Sequence, residues 1–303
     1  MEPPRKRLKK RPDWTITFDD PSSLRATMEA VNAVMQRCTF RIHKVDDHHF
    51  LMIDGADHGC TCCVSVRLQL YNVTFSDPEK ECEEFEFCVE CKHVLVAIES
   101  AATSQVVVEG YSETAKIDIR VLDPNQMAME DAATLSTFVD GDEKVELKTL
   151  KMDMVIQIDL PRIRDLLKKA RKSHSELLTI KVFVDKSGGQ ERSLLLFMCM
   201  GDTNHRQTIC SETVRGDDGS LLVKGCPDDG RNDFDIDNDT PVFDDTFPIE
   251  KIEAFVKNPG LHQNKMDAHA HKGMPLMLNI GLNGSTDDSS HIRFLVAPVN
   301  PDL

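Results

Sequence analysis

Leu160-Pro-Arg-Ile-Arg-Asp-Leu-Leu-Lys-Lys-Ala-Arg-Lys-Ser-His174 is a basic stretch in an acidic chain. Ile163, Leu166, Leu167 and Ala170 recur at i, i+3, i+4 and i+7, the spacing of one helical face. Arg162, Arg164, Lys168, Lys169, Arg171 and Lys172 fall away from that face and form a cationic stripe. Pro161 suits a first helical turn, where its missing N–H removes no hydrogen bond. By itself the stretch reads as an amphipathic surface helix with a solvated outer side.

The totals narrow what that helix serves. A length of 303 residues fits two domains, and 40% hydrophobic residues suffice for a sizeable core. No apolar run is long enough to span a membrane, and the basic first residues do not resemble a secretory signal. The net charge is −15, unevenly placed: residues 1–12 carry a net of +5 and the remainder −20. So acidic a body is not a general nucleic-acid binder, and any DNA contact must come from a local patch. Arg5, Lys6, Arg7, Lys9, Lys10 and Arg11 form a basic tail, residues 1–13, expected to be disordered. It reads as a nuclear localisation signal or, failing that, a phosphate-binding arm. Cys60, Cys62 and Cys63 crowd together, and Cys88-Val-Glu-Cys91 has CxxC spacing. A second CxxC is missing, so reduced thiols are expected, with a structural zinc as the alternative.

Read in order, the chain repeats itself. Trp14–Phe18 alternates as a strand. A helix follows, with Leu24, Met28, Val31 and Met35 inward. Strands are expected at Thr39–Lys44, Phe50–Ile53, Cys62–Tyr71 and Phe85–Val89, then a helix over Lys92–Ala101 and strands at Gln105–Glu109 and Ala115–Leu122. Residues 123–154 show no clean period; 137–154 read as an extended connector or one more polar hairpin. The second half begins at strand Val155–Asp159 and the basic helix. Strands at Leu178–Val184, Ser193–Met200 and Arg206–Thr213 follow, then an acidic insertion over 215–245. A helix at Ile249–Lys257 and strands at Leu276–Leu282 and His291–Ala297 complete it. This is an internal duplication of one α+β unit: domain 1 over 14–136, the connector over 137–154, domain 2 over 155–303. With helices on one side and antiparallel sheets on the other, the outer helix stripes share one surface. Arg25, Lys251 and Lys257 would join the basic helix there.

Three stretches resemble the DNA sliding clamp family of the proliferating cell nuclear antigen (PCNA) type, as a divergent member. They are Ser23-Leu-Arg-Ala-Thr-Met-Glu-Ala-Val-Asn-Ala-Val-Met35, Phe50-Leu-Met-Ile-Asp-Gly-Ala-Asp-His58 and Ile292-Arg-Phe-Leu-Val-Ala-Pro298, the last preceded by Met274-Pro-Leu-Met277. The resemblance implies duplicated clamp domains in a ring, usually of three copies, with helices lining an inner face that encircles duplex DNA. It implies a processivity factor for a DNA polymerase, set on DNA by a clamp loader, and a docking platform for replication and repair proteins. Carried over by position, a partner-peptide pocket would be built from Ile53, His58, Leu147, Leu150, Pro275, Leu295, Ala297 and Pro298; Ile53, Leu295 and Pro275 read equally as core. Ala26, Asn32 and Glu99 stand where the family carries basic residues, which leaves most of the inner charge to residues 160–174. Ring closure is expected at the edges of Ala115–Leu122 and Arg206–Thr213. A heteromeric checkpoint-type clamp and a non-ring, zinc-binding nuclear adaptor are the alternatives.

No enzyme, cofactor or metal site is expected. There is no P-loop or nucleophile motif. His48-His49 and His269-Ala-His271 read as solvent-facing loops. Asp233, Asp235, Asp237 and Asp239 alternate without the glycine and terminal glutamate of a calcium loop, and read as a solvated edge.

Overall fold

The computed structural model describes residues 11–57, 59, 61–77, 85–99, 104–111, 115–122, 129–137, 152–185, 192–216, 219–225, 239–257, 264–282 and 290–299. Arg5, Lys6, Arg7, Lys9, Lys10, His58, Cys60, Leu147, Leu150, Asp233, Asp235 and Asp237 lie outside them, as do most of the connector and the middle of the acidic insertion. Arg11 is described and exposed.

The first half runs β1 (Trp14–Phe18), α1 (Ser22–Val34), β2 (Arg37–Val45), β3 (His48–Ala56), β4 (Cys62–Leu70), β5 (Asn72–Phe75), β6 (Phe85–Glu90), α2 (Cys91–Ala97), β7 (Gln105–Tyr111), β8 (Lys116–Leu122) and β9 (Met129–Ser136). The second repeats it: β10 (Met154–Asp159), α3 (Leu160–Lys172), β11 (Leu177–Asp185), β12 (Arg192–Met200), β13 (His205–Arg215), β14 (Leu221–Gly225), β15 (Phe243–Pro248), α4 (Ile249–Val256), β16 (Lys265–Ala270), β17 (Leu276–Gly281) and β18 (His291–Val296). The duplication therefore holds strand for strand. Among the described residues four helices lie where the apolar periodicity places them, although α2 ends at Ala97 and not at Ala101 as expected. Several strands do not follow the sequence expectation. The patternless text before Thr137 holds β9, the insertion over 215–245 holds β14 and the start of β15, and β5 and β16 are additional. His48 and His49 lie in β3 and His269 in β16, rather than in loops.

Two sheets result. One has the order β5-β1-β7-β8-β9. The other is continuous across both halves, β15-β11-β12-β13-β14-β10-β16-β17-β18-β4-β3-β2-β6. The halves are joined where β18 pairs antiparallel with β4, from His291↔Arg67 to Val296↔Cys62. β14 lies between β13 and β10, antiparallel to the first and parallel to the second. Its first-half counterpart β5 pairs antiparallel with β1.

The helices pack side by side in the order α2, α1, α4, α3. Their inward residues and the facing sheet residues form one core, running across the β4–β18 seam. Phe255 of α4 stacks on Phe294 of β18 at 4.9 Å, and Phe87 stacks on both Trp14 and Phe40 at 5.3 Å. Gly110 is required where β7 passes under the Trp14 indole, since a Cβ there would stand 2.0 Å from the ring. No helix among the described residues is long and apolar enough to cross a membrane.

Candidate functional site

Helix α3 carries the densest exposed positive charge of the helix row. Leu160, Ile163, Leu166, Leu167 and Ala170 are buried beneath it, as the periodicity predicts. Pro161 occupies its first turn, and Lys169, Arg171 and Lys172 its last, where cations oppose the negative end of the helix dipole. The helix stops at His174, whose φ of 52° breaks the α geometry. The Ser173 hydroxyl donates to the Ala170 carbonyl at 3.0 Å. The His174 ring meets Asp202 at 2.7 Å.

The cations expected on the shared surface are not equivalent. Arg25 pairs with Glu29 at 3.1 Å and also donates to the Glu99 carbonyl at the end of α2. Arg164 donates through Nε to the Val256 carbonyl at 2.8 Å and so holds the end of α4. Lys251 reaches Asp57 at 3.3 Å, and Lys257 is paired with Glu253. These four are committed to helix ends or carboxylates. Arg162 lies 3.5 Å from Asp159, and Lys168 lies 3.6 Å from Asp165 in a strongly exposed pair worth little. Lys169, Arg171 and Lys172 are exposed and have no carboxylate partner among the described residues. Lys92, exposed on α2, lies on the same helix row and was missed by the sequence reading. Its signal was its place opposite the buried Cys91, Val94 and Ala97 of a short helix.

The opposite sheet face carries a second, apolar feature. Side chains alternate along a strand, so register decides who can share a pocket. Leu295 stands opposite Met277 and Cys63, while Phe294 stands opposite Leu278 and Val64. The Phe294 row faces the helices and belongs to the core; the Leu295 row faces away. Ile53 pairs with Val66 and Phe40, is fully buried, and belongs to the core row. Ile53 and Leu295 are thus on opposite faces of one sheet, and Ile53 cannot line a pocket with Leu295. The outward row is half-buried Cys63 and Met277 with Leu295, itself only 6% exposed, between them, bordered by half-buried Pro275, Ala297 and Pro298. Cys63 and Met277 were missed because their register with Leu295 is a nonlocal fact.

Beside this row, Asp57 ties the halves together. Its carboxylate accepts from the Thr61 amide at 2.7 Å, the Cys62 amide at 3.0 Å, the Thr61 hydroxyl at 2.5 Å and Lys251 of α4. The Ala297 amide donates back to the Thr61 carbonyl at 2.8 Å. Burial pushes the Asp57 carboxyl up, but the Thr61, Cys62 and Lys251 donors outweigh it and bring it to about 2. A carboxyl held below its ordinary 3.8 contributes stability that is present above pH ~4 and lost as pH falls through about 2. Asp57→Asn should therefore cost on the order of 2 kcal/mol at neutral pH. It should also flatten the loss of stability between about pH 4 and pH 2, as read by chemical denaturation at a series of pH values; an unchanged acid limb would contradict this assignment.

The cysteines give no metal cluster among the described residues. Cys38, Cys88 and Cys91 are buried, and contact with Cys91 together with burial pushes the Cys38 thiol well up, which makes it unreactive.

No protein-family model matches this sequence, and no curated protein matches it. Solved structures do. PCNA from Entamoeba histolytica matches with a TM-score of 0.68 at 11% identity, over 96% of this chain and 100% of that one. PCNA from Thermococcus kodakaraensis matches with a TM-score of 0.66 at 13% identity, over 94% of this chain and 100% of that one. The chain has the α+β, duplicated sliding-clamp fold of PCNA.

Proposed function

We propose that this chain is a ring-forming DNA sliding clamp: a homotrimer that encircles duplex DNA, tethers a DNA polymerase and docks replication and repair proteins. One observation carries the reading. Within the chain, β18 of the second half closes on β4 of the first. The repeat supplies the same two surfaces again, on β9 and β13, and among the described residues no further strand fills β9 and only part of one fills β13. Among the described residues β9 pairs only with β8, so the free edge is β9 and not β8 as the sequence suggested. Among the described residues β13 is covered by β14 only from Ser211 onward, which leaves His205–Cys210 open on that side. Exposed edges of this kind are normally paired or protected, and a head-to-tail contact that closes makes a ring.

The ring serves as scaffold and not as enzyme. Lys and Arg contacts to phosphate carry no sequence information, so the grip is sequence-independent and salt-sensitive. Arg171, Lys172 and Lys168 of α3 supply it, with Lys92 from α2. Topology supplies residence: a closed ring holds its cargo at high effective concentration near the template. The outward row Cys63, Leu295, Met277 is the docking surface for a partner peptide. A clamp loader would open the seam, and the basic run Arg5–Arg11 supports nuclear import.

The repeat also supports one register for the proposed seam. Phe294 lies opposite Val64 inside the chain. By the pairings of β8 with β9 and of β12 with β13, their counterparts are Ala133 and His205. Ala133→Cys with His205→Cys should give covalent trimers on mild oxidation, seen by non-reducing electrophoresis, and neither single variant should. Monomers alone would defeat the ring. The near-neutral outer side of α1 favours, as a second reading, a checkpoint-type ring of unlike copies. A purified chain that sediments as a monomer but enters a ring with a different clamp subunit would support it.

A further inference from the structure

We infer that Lys169 lies in the seam between copies, against α2 of the next copy, and not on the DNA-facing stripe. The inference rests on the ring reading above. Its warrant is the contact between α1 and α4, which is the chain's own copy of the contact α3 would make with a neighbouring α2.

The arginines align the helices. Arg25 reaches the carbonyl end of α2 and Arg164 the carbonyl end of α4, so each marks the flank facing the helix of its own half. Ala30 comes five residues after Arg25, about 140° further round a helix of 3.6 residues per turn, and so lies on the other flank. That flank of α1 packs against α4, and Ala30 has no exposed surface. The same step along α3, from Arg164, arrives at Lys169, which is exposed. Among the described residues no helix covers that flank of α3.

The facing surface follows in the same way. α4 turns Lys251 toward the first half, where it meets Asp57. Aligning buried Val94 with buried Ile252 makes His93 the counterpart of Lys251 and Val96 that of Ala254. Val96 is 58% exposed. Uncovered Val96, three residues on from His93 on the exposed side of α2, borders the flank that uncovered Lys169 of α3 would meet. The lysine stem covers the valine while its ammonium stays in water at the rim. Holding a long side chain in place opposes association, where alanine at the same position of α1 does not. Lys168 and Lys172 lie between the two flanks, on the outer side of α3, and stay on the stripe.

Subunit exchange between two fluorescently labelled batches of the full chain tests this, alongside the salt dependence of duplex binding. Lys169→Ala should slow exchange about tenfold and leave the salt slope unchanged. Lys168→Ala should do the reverse, lowering the slope by up to about 0.9 per contact with exchange unaltered. Val96→Arg should speed exchange, and Lys169→Glu in the same chain should restore it, a coupling that only neighbours show. If Lys169→Ala lowers the salt slope and leaves exchange as it was, Lys169 belongs to the DNA stripe and the inference fails. A monomeric wild-type chain would instead overturn the ring itself, and the two failures are distinct.

Discussion

Reversing Lys168, Arg171 and Lys172 to glutamate should abolish stimulation of a polymerase on primed DNA while the oligomer sediments unchanged. The effect is large because little else on the helix row is free to meet phosphate. The body of the chain beyond residue 12 carries −20, so DNA is repelled wherever no local patch compensates. Arg25, Arg164, Lys251 and Lys257 are held by Glu29, the Val256 carbonyl, Asp57 and Glu253. Duplex affinity in fluorescence anisotropy should fall on the order of a hundredfold at moderate salt, with a shallower dependence on salt concentration. Unchanged stimulation would remove α3 from the DNA path. Replacing Arg164 is a different experiment: it strips the end of α4 of its donor and tests stability rather than DNA binding.

Met277→Glu should weaken a clamp-binding peptide on the order of a hundredfold while ring and DNA contact persist. Met277 sits in the outward row between β16 and β18, level with Leu295 and Cys63. A peptide docking there would bury the new carboxylate without a partner, a penalty of about 3 kcal/mol or more. Calorimetric titration with a peptide from a polymerase tail measures it. Wild-type affinity in the variant would move the docking surface elsewhere. Ile53 offers no such test, because it packs under the helices and its replacement disturbs the core.

The helices were legible in the sequence and the weaker strands were not. A helix leaves a period that neighbouring residues share, and α3 shows it in Ile163, Leu166, Leu167 and Ala170. β9, with the sequence MEDAATLS, has little intrinsic strand preference; β8 imposes its extended form by pairing. β15, FDDTFP, reads as acidic loop and ends on proline, as an edge strand can. β16 alternates, with Met266, Ala268 and Ala270 buried, but two of the three are alanines too small to stand out. Missing β9 misplaced the free edge onto β8, and with it the expected seam.

The candidate site divides along the same line. The basic helix, the duplicated order of elements and the excess of acid elsewhere are properties of contiguous text, and the sequence alone determined them. It could not distinguish Arg171, exposed and without a carboxylate partner among the described residues, from Arg164, spent on the end of α4, since the two lie seven residues apart on the polar part of one helix. It could not separate Ile53 from Leu295, which the pairing of β3, β4 and β18 sets on opposite faces. Only the tertiary structure decided these, because a side chain's neighbours across a sheet or beside a helix arrive from distant parts of the chain. Periodicity says which face is buried; it does not say what lies against the flanks.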